Sequence, residues 1–220
     1  AEQSLVAYAC LRAADVAPGI LSPDQANQQL RAVIASTTDV LPGMPWLGWT
    51  QVHHPAGPVA SGVAFRDMRQ QVWEHQIPVS SAPDLTGGIV FTKGGGRSGG
   101  GAQLPTWQSA RPLAFIATML ADPRLTEPAE RTREIVHLMH AFRFLRQLQT
   151  DESSVWMYDD APLALGAIRV APWDFSLPLD PTSMVLLATV ELLDSLDRLE
   201  AERPASAIPE QEREASPPPP

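Results

Sequence analysis

A single cysteine, Cys10, in a chain of 220 residues leaves no partner for an intramolecular disulfide and no thiolate set for a structural zinc. In its apolar surroundings it reads as a small buried hydrophobe. Basic charge is also scarce: 16 Lys and Arg stand against 25 Asp and Glu, giving a net charge of −9 and a pI near 4.9. That balance opposes binding to nucleic acid or an anionic membrane, because phosphate binding needs cations that displace counterions, and neither is expected as a partner. No window holds the roughly 18 uninterrupted apolar residues of a membrane-spanning helix. Period-two alternation is missing outside the short stretches 88–91 and 167–170, so no sheet is expected. The glycine run from Gly94 to Gly101 lacks the GK[ST] ending of a phosphate loop and reads as a flexible insertion. No signal-peptide pattern precedes the first helix, and a start at Ala1 suggests a processed chain or a piece of something larger.

What the chain does contain is a repeat. AFRDMRQQ from Ala64 and AFRFLRQL from Ala141 lie 77 positions apart, and APDLTGGI from Ala82 and APLALGAI from Ala161 lie 79 apart. Similar blocks in one order at nearly one spacing predict a duplicated supersecondary unit. Gly87 and Gly166 end the second block of each copy, and left-handed backbone is expected at both. After each glycine comes a loop with Leu, Pro and Thr and then an apolar helix, the glycine run being an insertion in the first such loop.

Residues 107–121 are apolar on nearly every face after the first turn and predict a buried inner helix, and 182–199 repeat this type for over three turns before polar residues appear. Residues 128–149 place Ile135, Leu138, Met139, Phe142 and Leu145 at helical spacing, with Glu130, Arg131, Glu134, Arg143 and Arg146 facing elsewhere. They predict an outer helix, begun by Thr126 and Pro128. Helices are also expected over 4–14, 23–36 and 59–76. With 44% apolar and 19% charged residues, one domain over 1–202 is expected, followed by a disordered Pro-rich tail over 203–220. The fold class is all-α, a curved or closed array of repeated helical hairpins with Gly-, Pro- and Trp-rich loops.

The stretch FRFLRQLQTDESSVW, Phe142 to Trp156, resembles the QW-type repeat of the terpenoid-cyclase and prenyltransferase superfamily, with Gln149 and Trp156 as the defining pair. The turns at Gly87 and Gly166 are similar to the segments that enter inner helices in that superfamily. The resemblance covers roughly residues 60–200 and implies an α/α toroid or partial toroid, with inner helices around a central cavity enclosed by outer helices. This chain has too few hairpins to close such a ring, so missing helices are expected from an upstream part, a protein partner, self-association or a shorter closed variant. Two functions follow from the resemblance. One is a non-catalytic helical-repeat domain that binds a protein, a carbohydrate or an apolar ligand. The alternative is a terpenoid cyclase or prenyltransferase-like enzyme that cyclises a polyisoprenoid by acid initiation. The DxDD motif that such cyclases use is incomplete here, since Asp159 and Asp160 follow Tyr158 without the first Asp.

Asp159, Asp160 and Asp174 are the candidate acids, because carboxyls sharing an apolar cavity hold raised pKa values; the plain alternative is a solvated turn. Glu134, His137 and His140 form one ExxH-type set, but a di-metal centre needs a second facing it. They read as a solvated helix face, His53 and His54 as a polar loop, and no metal or cofactor is expected. Trp107, Arg111, Trp156, Tyr158, Arg169 and Trp173 are the candidate ligand contacts, with Asp84 as a weaker choice. Their rings offer flat apolar faces for an isoprenoid or a sugar; otherwise the tryptophans plug hairpin turns.

Overall fold

A computed structural model describes residues 2–17, 22, 24, 25, 28, 32, 43–52, 62–79, 83–91 and 104–202. Most of the expected helix over 23–36, the pair His53–His54, the glycine run and the tail 203–220 lie outside the described residues. Within them the chain is helical and has no strand, only isolated bridges. The α-helices are α1 (Glu2–Val16), α2 (Trp46–Val52), α3 (Gly62–Glu74), α4 (Ala110–Leu120), α5 (Arg131–Gln147), α6 (Ala161–Ala164) and α7 (Leu179–Ala201).

The core is built around α4. Its apolar sequence leaves no face suited to water, and Leu113, Phe115, Ile116, Met119 and Leu120 are all buried against α2, α5 and α7. Each such side chain contributes about 1.5–3 kcal/mol by leaving water. Along α7, Pro181, Ala188 and Ser195 recur every seven residues and are its buried positions. Small side chains two turns apart let the backbones of α4 and α7 approach, and Ser195 Oγ donates to Ala117 O at 2.6 Å. The rest of α7 departs from the expected buried helix: Leu186, Val190 and Leu193 are 62%, 52% and 55% exposed. Its sequence is apolar enough to be covered on this flank too, but no described element covers it.

α5 is turned from the orientation that its apolar stripe predicts. It buries Glu134, Leu138, Ala141, Phe144 and Leu145, while Met139 is exposed. The rotation follows from Glu134, which is drawn inward by hydrogen-bond donors on α3.

A glycine turn follows α3 and another follows α5. Gly87 has φ +88° and Gly166 φ +83°, in the left-handed region where a Cβ clashes with the backbone. In the first turn Gly87 N donates to Ile77 O and Ile77 N to Gly88 O, both at 2.9 Å. In the second, Gly166 N donates to Thr150 O at 2.9 Å and Thr150 N to Ala167 O at 2.8 Å. The amides of Gln76 and Gln149 donate to Gly87 O and Gly166 O, each at 3.3 Å. Ile89 N and Ile168 N donate to the hydroxyls of Ser109 and Thr182, each at 3.0 Å.

The surroundings of the two glycines differ. A Cβ on Gly87 would overlap the His140 carbonyl of α5, whereas a Cβ on Gly166 would meet only Gln149 Nε2 at 3.8 Å. Gly166→Ala is therefore expected to lose only the left-handed backbone penalty of about 1–2 kcal/mol. Gly87→Ala is expected to lose clearly more, because α5 must also move. Urea unfolding of both variants tests this, and equal losses would contradict the close approach of α5.

Candidate ligand cleft

The starts of α4 and α7 lie side by side and form the walls of a cleft of about 360 Å³. The local sequence fixes them there. Thr106 Oγ1 accepts from Gln108 N and begins a single 3-10 turn, Trp107–Ser109, before α4. Trp107 N donates to Val170 O at 3.0 Å, which ties this turn to the strand-like stretch after Gly166. Trp46, Leu5, Met184 and Leu187 supply apolar wall, and Glu2, Asp180 and Ser183 stand at its polar rim. Tyr8, Trp46 and Trp49 pack together with ring centroids 5.4–5.7 Å apart and hold α1 and α2 against this end. Trp49 is anchored in turn, its Nε1 donating to Thr118 Oγ1 at 2.8 Å.

Arg111 is the unusual residue of the cleft. Its guanidinium lies 5.3 Å from the Trp107 ring centroid, and its Nε is buried without a hydrogen-bond partner. Burial lowers its pKa, and the nearby Asp180 carboxylate acts against that shift. A buried N–H left unpaired is unfavourable by about 1–3 kcal/mol, so the site is suited to a ligand that supplies an acceptor.

The other expected contact residues are not gathered here. Tyr158 OH donates to Phe175 O at 3.0 Å, and the Arg169 guanidinium lies 5.2 Å from the Phe175 ring while donating to Gln147 O and Leu148 O. These residues brace the second loop. Trp156 is 76% exposed, its Nε1 donating to Ser153 O in its own turn, and Trp173 is 50% exposed. Neither ring plugs a hairpin turn. The candidate acids are surface groups. Asp159 and Asp160 are exposed, and Asp160 Oδ1 accepts from Leu163 N as the cap of α6. Asp174 Oδ1 accepts from the hydroxyl and backbone N–H of Ser176, which lowers its pKa and keeps it ionised. Asp84 is also exposed. Sequence reasoning found Trp107 and Arg111 but missed Asp180, whose only signal was its place in the first turn of an inner helix.

No family model matches the chain, and no curated protein or solved structure matches it.

The Glu134–His137–His140 set is structural and only partly solvated, and no group of three metal-ligating side chains occurs among the described residues. Glu134 is buried and accepts from Trp73 Nε1 at 2.6 Å, from Arg133 at 3.1 Å, and pairs with Arg69 Nε at 3.1 Å. His137 stacks on Trp73 at 4.8 Å with a 12° interplanar angle. Its Nδ1 lies 2.6 Å from Gln76 Oε1. Because Gln76 Nε2 already donates to Gly87 O and His137 O, the amide oxygen faces the ring and Nδ1 is the donor. Desolvation is the main reason that the His137 pKa is lowered; Glu134 opposes it, and Arg133 and His140 reinforce it. The fold therefore favours the neutral ring, and the unfolded chain takes up the proton first on acidification. That contribution is complete above about pH 6.5 and is lost as pH falls toward the lower folded pKa. Melting temperatures measured from pH 7.5 to 5.5 should fall, with a shallower slope in His137→Phe, which keeps the stack. An unchanged slope would show that His137 does not titrate in this window.

Proposed function

We propose that this chain is a non-catalytic binding domain on a partial α/α toroid of terpenoid-cyclase-like type, and that its cleft holds a small carbohydrate. The two glycine turns support the repeated-unit part of the reading. Gln76 and Gln149, and Ser109 and Thr182, make matching hydrogen bonds 73 positions apart, while Gly87 and Gly166 are 79 apart. The second turn is thus six residues longer, and the loop after it six shorter, where the first copy has its glycine run. On this alignment the AFR blocks, 77 apart, match one helical turn out of step with the hydrogen bonds.

The observation that carries the ligand class is the unpaired Arg111 Nε beside Trp107 and within the field of Asp180. A sugar hydroxyl can accept from Arg111 and donate to Asp180, while a ring face packs on aromatic and aliphatic wall. A free anion would meet Asp180 and Glu2 at the rim, and a polyisoprenoid would leave Arg111 unpaired. The volume lies at the small end of ligand sites and suits one or two sugar rings. Acid-initiated cyclisation gains no support, because Asp159 and Asp160 are solvated and Asp174 is held ionised.

Tryptophan fluorescence titrated with glucose, N-acetylglucosamine, cellobiose and farnesol tests the assignment. A saturable change with a sugar, at a Kd on the order of 1 mM or tighter, is expected. Arg111→Met and Asp180→Asn should each weaken it about tenfold, or about 1.4 kcal/mol. Saturation by farnesol with no response to any sugar would overturn the carbohydrate reading.

A further inference from the structure

The same groove is filled once in this molecule and open once. On the first turn, α5 lies directly on Gly87, and the atoms that receive it are Gln76 Nε2, which donates to His137 O at 2.9 Å, and Trp73 Nε1, which donates to Glu134. Beside Gly166 no described helix sits. Phe142, Leu145, Arg146, Gln149 and Ile168, with Leu186 of α7, line an open apolar groove of about 240 Å³ there. Counting 73 positions on from Trp73 and Gln76 gives Arg146 and Gln149, so the second seat has a cation where the first has an indole N–H, and the same amide. The groove continues into the exposed Leu186, Val190 and Leu193 of α7, spaced four and three residues apart on one helix face.

Among the described helices, α1 carries a face that would fill it. α5 seats itself with Glu134, Leu138, Ala141, Leu145 and Leu148, all buried and spaced 4, 3, 4 and 3. α1 buries Ser4, Ala7, Leu11 and Ala14, and on its opposite side exposes Glu2, Val6, Ala9, Ala13 and Val16, with the same spacing and the same order of acid, aliphatic and alanine. A molecule's own α1 is committed to α2, where Ala7 packs with Leu47 and Tyr8 with Trp46 and Trp49. We propose that a second copy of this chain seats the exposed face of its α1 in the groove beside Gly166, Glu2 facing Arg146 and Ala9 lying on Gly166, so that copies associate head to tail. The proposal rests on the repeated-unit reading above but not on the identity of the cleft ligand. The two surfaces are different patches, so the contact is heterologous and closes only when its rotation divides the circle.

Light scattering of the full chain at tens of micromolar is the test, with Val6→Asp marring the donor face and Leu186→Asp the groove. The wild type should be a dimer or a larger closed assembly, and each variant a monomer with an unchanged helical circular dichroism spectrum. An equimolar mixture of the two variants should recover a dimer, since one chain keeps an intact α1 and the other an intact groove. Val6→Ser and Leu186→Ser repeat the test with a milder change should either aspartate variant fail to fold. Arg146→Glu should weaken association at least tenfold. A monomeric wild type, single variants that still associate, or a mixture that stays monomeric would each overturn the proposal. Sugar titration separates the two readings: a monomeric wild type that binds sugar refutes the docking alone, and an assembly whose monomeric Leu186→Asp form also ignores sugar refutes the ligand alone.

Discussion

The close approach of α5 to the backbone of Gly87 is the constraint on which the described structure depends. Only glycine holds φ +88° without strain and also leaves room for the His140 carbonyl. Once α5 is that near, Gln76 can reach His137 O, Trp73 can reach Glu134, and Arg69 can lie buried between helices. Arg69 then spends its whole donor fork: NH1 on Thr126 Oγ1 and Leu125 O, NH2 on Glu130, and Nε on Glu134. A buried ion pair adds little net stability, but one satisfied at every polar atom tolerates no alternative register. The pair fixes how α5 lies on α3, and that orientation brings the Leu138 and Ala141 face of α5 against the core.

Much of this was legible in the sequence, and what was not has physical causes. The two glycines announced their turns, because few other residues accept that backbone, and α4 announced its burial by being apolar on all sides. Glu134 read as a surface residue because its partners, Trp73 and Arg69, lie about sixty positions earlier and no local pattern records them. The first three turns of α7 read as buried because hydropathy reports what a helix can bury, not which neighbours the chain supplies. On the repeated-unit reading the two signals differ by about one helical turn, since the AFR strings match in letters 77 positions apart whereas Gln76 and Gln149 match in hydrogen bonding 73 apart. Of the expected contact residues, Trp107 and Arg111 share the cleft while Tyr158 and Arg169 brace a loop. Helix starts are predictable, but which of them converge depends on packing between units.

That packing also explains the cleft. Trp107 and Asp180 stand 73 positions apart, as do Arg111 and Met184. On the repeated-unit reading, equivalent positions on neighbouring inner helices have diverged, one copy contributing the aromatic face and the cation, the other the carboxylate and an aliphatic wall. A mixed polar and apolar site then arises from one repeated backbone without a dedicated loop.

The difference between the two helix seats bears on why the second stays open within one chain. Arg69, which locks α5 onto the first seat through buried charge, has Phe142 as its counterpart 73 positions on. A seat filled during folding can use a buried ion pair, because its partners are covalently linked and their register must be unique. A seat filled by association must remain soluble while empty, and a buried unpaired arginine there would be strongly unfavourable. Phe142 is only half-buried, and Arg146 beside it is exposed, so its charge stays hydrated until an acid arrives. The second seat thus keeps the amide of Gln149 and the bare backbone of Gly166 that receive a helix, and lacks the buried charge that would make an empty seat unstable.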